Sequence, residues 1–156
     1  MSYIDPSDKD DFFQAVDRYA RLATWCALAT ETNGAPRVRM VHPTWEGDVL
    51  WFATGPETLK ARQLAENPIV DIQYQVAPPD FIHLLVRGRA TLVDDDTTRQ
   101  HVWNNVMDYD LSQFWPAGPT DPGYIAVRVQ PERVELSEMF GTVNKRVWRA
   151  SLRGRG

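Results

Sequence analysis

Residues 24–60 read TWCALATETNGAPRVRMVHPTWEGDVLWFATGPETLK, and this stretch decides the fold. It holds three short apolar runs, Thr24–Thr30, Pro36–His42 and Val49–Thr54. Asn33-Gly34 separates the first two and tolerates the positive φ of a tight hairpin. Trp45-Glu46-Gly47-Asp48 supplies a turn before the third. Three short strands joined by tight turns predict an antiparallel meander, not a βαβ unit. Gly55-Pro56 then breaks the strand, and a helix is expected from Pro56 or Glu57 to about Glu66, stopped by Asn67-Pro68.

Working outward, residues 8–22 predict a helix. Ser7 or Asp8 can cap it, and Phe12, Phe13, Val16, Tyr19 and Ala20 recur at helical spacing. It would lie on the sheet and cover one opening of a barrel. Downstream, Ile69–Gln75 and Phe81–Val93 read as strands, with Gly88 allowing a bulge in the second. Residues 94–109 predict a third helix capped by one of Asp94, Asp95 or Asp96. Residues 110–123, punctuated by Pro and Gly, predict an irregular excursion carrying Phe114 and Trp115. Tyr124–Val129 and Arg133–Met139 are the last strand candidates, interrupted by Gln130-Pro131. The sum is a mainly β chain: a six-stranded antiparallel split β-barrel of Greek-key type with about three peripheral helices. Residues 1–140 are expected to form one domain, followed by a basic tail at 141–156.

With 156 residues, 43% hydrophobic and 24% charged, the composition is that of a globular domain. Cys26 is the only cysteine and sits in an apolar run, so packing is its expected role and no intrachain disulfide can form. No apolar run reaches bilayer-spanning length, and the acidic start SYIDPSDKDD is unlike a signal peptide. A cytoplasmic setting and no membrane partner are therefore expected. The net charge of −4 is uneven: residues 141–156 hold Lys145, Arg146, Arg149, Arg153 and Arg155 without an acid, and the first 140 residues carry 12 basic against 21 acidic groups, a net −9. An acidic body disfavours nucleic acid as a partner.

Arg37 and Arg39 share one face of their strand with Val41, and Val38 and Met40 take the other. Paired guanidiniums suit an anion such as phosphate, and a solvated strand face is the plain alternative. Thr54-Gly55-Pro56-Glu57-Thr58-Leu59-Lys60 leads from strand to helix, where free backbone N–H groups, the Thr58 hydroxyl and Lys60 could seat an anion. An ordinary capped helix with a surface lysine reads equally well. His42, His83 and His101 are too scattered for a structural zinc site, so no metal is expected. P-loop, GxGxxG, HExxH and GxSxG patterns are absent. Trp25, Trp51, Trp103 and Phe52 are expected in the core. Trp45, Trp115 and Trp148 stand near turns or the tail, open to a flat ligand or a second subunit.

The blocks LATETNGAPRVRMV, DVLWFATGPETLKARQLAENPIVDIQY and LLVRGRATLV resemble the FMN-binding split-barrel superfamily related to pyridoxamine 5′-phosphate oxidase, in its general-stress-protein-like branch. The resemblance covers roughly residues 10–139. It implies a homodimer with FMN at the subunit interfaces. It places flavin contacts on Arg39, Met40 and Val41 with His42 beside them, on Thr54, and on Thr58 and Lys60 at the phosphate. His83, five residues before Gly88, stands where relatives carry a glutamine near the flavin ring. Leu59 replaces a second basic phosphate ligand. After Val134-Glu135 come Leu136 and Ser137 with no tryptophan, and Lys145-Arg146-Val147-Trp148 has no histidine, so pyridoxamine-phosphate oxidase activity itself is not expected. The resemblance implies an FMN-dependent oxidoreductase, reductase- or oxidase-like, acting on a small molecule, with NAD(P)H a candidate reductant. A flavin-binding stress-response protein without turnover, or a haem or deazaflavin carrier, is the alternative.

Overall fold

The computed structural model describes residues 2–150; the sequence-noted Arg153 and Arg155 lie outside the described residues. The opening hairpin forms as its turn chemistry dictates. Strands β2 (Cys26–Thr32) and β3 (Ala35–Val41) pair antiparallel about Asn33 and Gly34, which take φ of 53° and 79°. The rest of the predicted meander does not follow. Thr44–Glu46 forms a short strand, β4, which turns through Gly47 (φ 59°) and pairs with β5 (Val49–Thr54). The other edge of β5 pairs with Ile125–Val129, so β3 and β5 are not neighbours.

Helix α1 (Lys9–Ala23) precedes this hairpin, and a two-residue strand β1 (Ser2–Tyr3) precedes the helix. Helix α2 (Leu59–Glu66) follows β5, and then β6 (Ile69–Gln75) and β7 (Ile82–Val93) form an antiparallel pair. Helix α3 (Asp96–His101) runs into a π-helical turn at Val102–Val106, shorter than the helix expected over 94–109. Residues 107–124 are irregular, as the proline and glycine content predicts, with one 3-10 turn at Leu111–Gln113.

Where two strands were expected after residue 124, one long strand forms, β8 (Ile125–Glu138). Pro131 interrupts only the register. It stands opposite Gly88, and the next pairing joins Arg87 to Arg133, a bulge that accommodates a residue with no N–H to give. Gly88 is needed there, because a Cβ would lie 2.6 Å from the Gln130 carbonyl oxygen. Residues Val143–Arg149 of the basic segment form β9, antiparallel to β8 and parallel to β1.

The described residues thus hold nine strands in one mixed sheet, ordered β1-β9-β8-β7-β6-β2-β3, with β4–β5 attached to β8, and three helices. This corrects the six-stranded, wholly antiparallel expectation: the short β1 and β4 and the basic β9 carry little strand signal of their own, and β1 pairs parallel. No pairing joins β3 to the far end of the path, so a closed Greek-key barrel is not what these ladders describe.

Alternation assigns the core. Val70, Ile72 and Tyr74 of β6 face inward, with Leu28, Phe52, Leu84, Val86, Val127 and Leu136 from neighbouring strands. Helix α1 lays Phe12, Phe13 and Val16 on this core, each worth about 1.5–3 kcal/mol when fully buried. Trp51 and Phe52 are buried as expected, and Trp103 is partly buried. Three tryptophans reverse their readings. Trp45 and Trp148, taken as available to a ligand or partner, are buried beside Phe13, while Trp25, taken as core, is 62% exposed. Cys26 and Leu28 point inward on β2, so period two turns Trp25 outward.

Candidate functional site

The strand-to-helix connection after β5 is locally dictated. Thr58 caps α2, its Oγ1 accepting from Ala61 N–H at 3.2 Å and donating to the Gly55 carbonyl at 2.9 Å. The cap leaves the N–H groups of Leu59 and Lys60 in the first turn without intrahelical acceptors. Lys60 curls back over this turn, its Nζ donating to Thr54 Oγ1 at 3.4 Å, and Thr54 Oγ1 lies 3.3 Å from Thr58 Oγ1. Lys60 is partly buried, and burial followed by the charge of Arg39 holds its pKa below the ordinary 10.5.

Arg39 comes from β3 across the sheet. Its Nη1 donates to Thr30 Oγ1 at 2.7 Å and its Nη2 to Gln63 Oε1 on α2. Burial, then neighbouring Arg37, lowers its pKa from 12.5. Among the described residues, neither Arg39 nor Lys60 has a carboxylate within ion-pair distance. Two adjacent cations held only by neutral oxygens are short of an anion.

Lys60, Thr58 and Thr54 open onto a cavity of about 670 Å³, within the usual range for small-ligand sites. Met40, Val41 and His42 from β3 line a second side. Trp25, Tyr109, Phe114 and Trp115 line much of the remainder, with Gln113 among them. The His42 ring stacks on Tyr109, centroids 4.2 Å apart and planes 16° apart, and its Nε2 lies 2.9 Å from Asp108 Oδ1. Burial, with Asp108 nearby, raises the pKa of Tyr109.

Of the sequence-derived positions, Met40, Val41, His42, Thr54, Thr58 and Lys60 therefore meet around one cavity, and Arg39 stands beside Lys60. His83 stands apart. It is buried under Phe81 and Phe140, Nδ1 hydrogen-bonded to Gln75 Oε1 and Nε2 accepting from Phe140 N–H at 2.8 Å. Of the aromatic wall, the sequence marks Trp115 as open to a flat ligand, and it lines the cavity; Tyr109 and Phe114 were not assigned, although Phe114 in the same proline-punctuated excursion carried the same signal, a bulky ring with no strand or helix to bury it. Among the described residues no group of three or more His, Cys, Asp or Glu is arranged to hold a metal ion. Among the described residues no helix is long and apolar enough to cross a membrane.

Comparison with known proteins gives a consistent result. A family model described as pyridoxamine 5′-phosphate oxidase matches residues 12–138. General stress protein 26 of Bacillus subtilis (strain 168) is 25% identical over 112 residues, 70% of this chain and 76% of that protein. The crystal structure of general stress protein 26 from Bacillus anthracis str. Sterne superposes with a TM-score of 0.71 at 21% identity, covering 89% of this chain and 98% of that one. A pyridoxamine 5′-phosphate oxidase-related, FMN binding protein from Nostoc punctiforme PCC 73102 superposes with a TM-score of 0.73 at 21% identity, covering 96% and 93%.

Proposed function

The chain belongs to the pyridoxamine 5′-phosphate oxidase family, and from that premise we propose that it binds FMN in the cavity between β3, β5 and the aromatic excursion and acts as a flavin-dependent oxidoreductase on a small molecule. The observation that carries the reading is Lys60, which lines the cavity with the second uncompensated cation, Arg39, beside it, in a cavity that also carries four aromatic side chains. The cations and the free helix-start N–H groups that the Thr58 cap presents form a donor set that fits a phosphate without a P-loop. The aromatic walls fit a flat ring system. The name of the Nostoc relative, an FMN binding protein, supports the choice of flavin.

In this reading Arg39 and Lys60 hold the phosphate with the helix-start N–H groups that Thr58 presents as the cap, Thr54 orients the lysine, and Met40, Val41 and His42 pass along the ligand. When bound, the flavin supplies hydride- and electron-transfer chemistry, and this chain's residues bind it, orient it and keep water from its aromatic side. His83 is left out of the set, because both ring nitrogens are used on protein atoms. The exposed apolar residues Met40 (64%) and Trp25 (62%) line the cavity, and Val38 (65%) is exposed on the same strand as Met40; together they support a homodimer that closes it.

The test is titration with FMN. Wild type should bind it, and Arg39→Ala and Lys60→Ala should each lose at least about 1 kcal/mol, roughly fivefold in affinity. Undiminished affinity in a folded variant removes that residue from the phosphate seat. A colourless wild type that cannot take up FMN overturns the reading, and a Soret band points to haem instead. Bleaching of the bound flavin by NAD(P)H, then substrate-dependent reoxidation, distinguishes an enzyme from a carrier.

A further inference from the structure

The aromatic wall of the cavity lies on the irregular segment 107–124, so its shape depends on how that segment is fastened. At the entry, Thr44 Oγ1 donates to Asp108 Oδ1 at 3.0 Å, and Asp108 N–H donates back to Thr44 Oγ1 at 3.3 Å. At the exit the fastening is Arg99 of α3, which is only 9% exposed. Its Nη1 donates to the carbonyls of Asp121 (3.1 Å) and Tyr124 (2.9 Å), and its Nη2 to Asp96 Oδ1 (2.7 Å). The Tyr124 hydroxyl returns a bond to the Arg99 carbonyl at 3.0 Å.

What Arg99 holds, holds Trp115 in turn. The Asp121 carboxylate accepts from Gly123 N–H at 2.9 Å and Ala117 N–H at 3.3 Å, closing the chain around Trp115. A Cβ at Gly123 would stand 3.2 Å from Asp121 Oδ1 and 3.4 Å from the Trp115 ring, so the closure is tight. The Tyr124 ring packs against Trp115 at 5.4 Å between centroids, with Trp103 at 5.3 Å. Burying a guanidinium is costly, and the main compensation here is two main-chain carbonyls and one exposed carboxylate. A planar fork serves both carbonyls from one nitrogen while reaching the carboxylate with the other, which the point charge of lysine does not.

We propose that Arg99 is a positioning residue that sets the cavity's selectivity for planar rings: through Asp121 and Tyr124 it fixes Trp115, with Phe114 beside it, at the wall where such a ring stacks. The inference rests on the flavin reading only for the identity of the ring. Arg99 makes no hydrogen bond to β3 or α2, where Arg39, Thr58 and Lys60 stand. Loosening the clasp therefore weakens ring binding and spares the anion seat.

Riboflavin, which has the ring and no phosphate, and inorganic phosphate separate the two ends. In Arg99→Met riboflavin affinity should fall about five- to tenfold, the worth of a lost aromatic contact, while the rise in melting temperature caused by phosphate stays at the wild-type value. Amide exchange over residues 115–124 should be faster than in wild type. Unchanged riboflavin affinity in the folded variant, or an equal loss for phosphate, overturns the proposal. If Arg99→Met does not fold, Arg99→Lys, which keeps the charge and loses the fork, should show the same direction with smaller size; wild-type behaviour there overturns it equally. A wild type that binds neither FMN nor riboflavin defeats the flavin reading, and the clasp is then judged by amide exchange: faster in the variant sustains it, unchanged defeats it.

Discussion

Lys60 shows how a side chain's surroundings, not its identity, define a site. Burial and Arg39 lower its pKa, so between that value and the ordinary 10.5 the folded chain binds fewer protons than the unfolded one. In that window stability rises with pH, and below it the buried ammonium weakens the fold. An anion reverses the penalty by preferring the ammonium. The rise in melting temperature given by inorganic phosphate should thus shrink as pH climbs from about 8, where phosphate is already a dianion, through the lowered lysine pKa. Lys60→Gln should show a small, flat response by differential scanning fluorimetry across the same range, and a wild-type response that grows with pH would contradict the seat. Cys26 is the opposite case, a residue silenced by burial. Its thiol is pushed up to about 12 by burial and is 1% exposed. Ellman's reagent at mildly alkaline pH should leave the native chain unreacted and titrate the thiol only after denaturation; rapid native reaction would show that β2 opens.

Among the elements, α2 and the β7–β8 pair carry clear consequences. Thr58→Ala removes the cap of an eight-residue helix and should cost about 1 kcal/mol in chemical denaturation. Thr58→Ser keeps the oxygen and should recover most of it. In β7, Gly88→Ala forces a Cβ against the Gln130 carbonyl, 2.6 Å away in the present backbone, and should destabilise by roughly 1–3 kcal/mol. The Gly88 effect was legible in the sequence, since Gly88 sits inside a strand pattern, a spacing that signals a bulge or a close backbone approach; the sequence opens the helix at Pro56 or Glu57, whereas Thr58 caps a helix that begins at Leu59. Pro131 was legible as a break, but whether a break ends a strand or bends it depends on the partner across the ladder. Gly88 is that partner.

For the molecule as a whole, the apolar surface around β3 is the feature that a single chain leaves unexplained. Val38 and Met40 point away from the core on one strand, and a homodimer would cover them. Val38→Glu should shift sedimentation from dimer to monomer and weaken FMN binding, whereas Lys60→Ala should weaken FMN binding and leave the dimer intact; a wild type that sediments as a monomer when loaded with FMN would remove the partner from the proposal. The amino-acid sequence alone determined the elements that rest on local chemistry: the Asn33-Gly34 hairpin, the capped helix after β5, the alternating β6, and the mainly β class with three helices. It also marked Thr58 and Lys60, because turn and cap signals are written within a few neighbouring residues. Only the tertiary structure decided that β5 leaves the meander for β8, that Val143–Arg149 is a strand, that Trp25 faces out while Trp45 and Trp148 face in, and that Tyr109, Phe114 and Trp115 stand opposite Lys60. Those outcomes depend on which distant segment occupies a strand edge or a side chain's far side, and that competition for hydrogen bonds and burial is settled only when the whole chain packs.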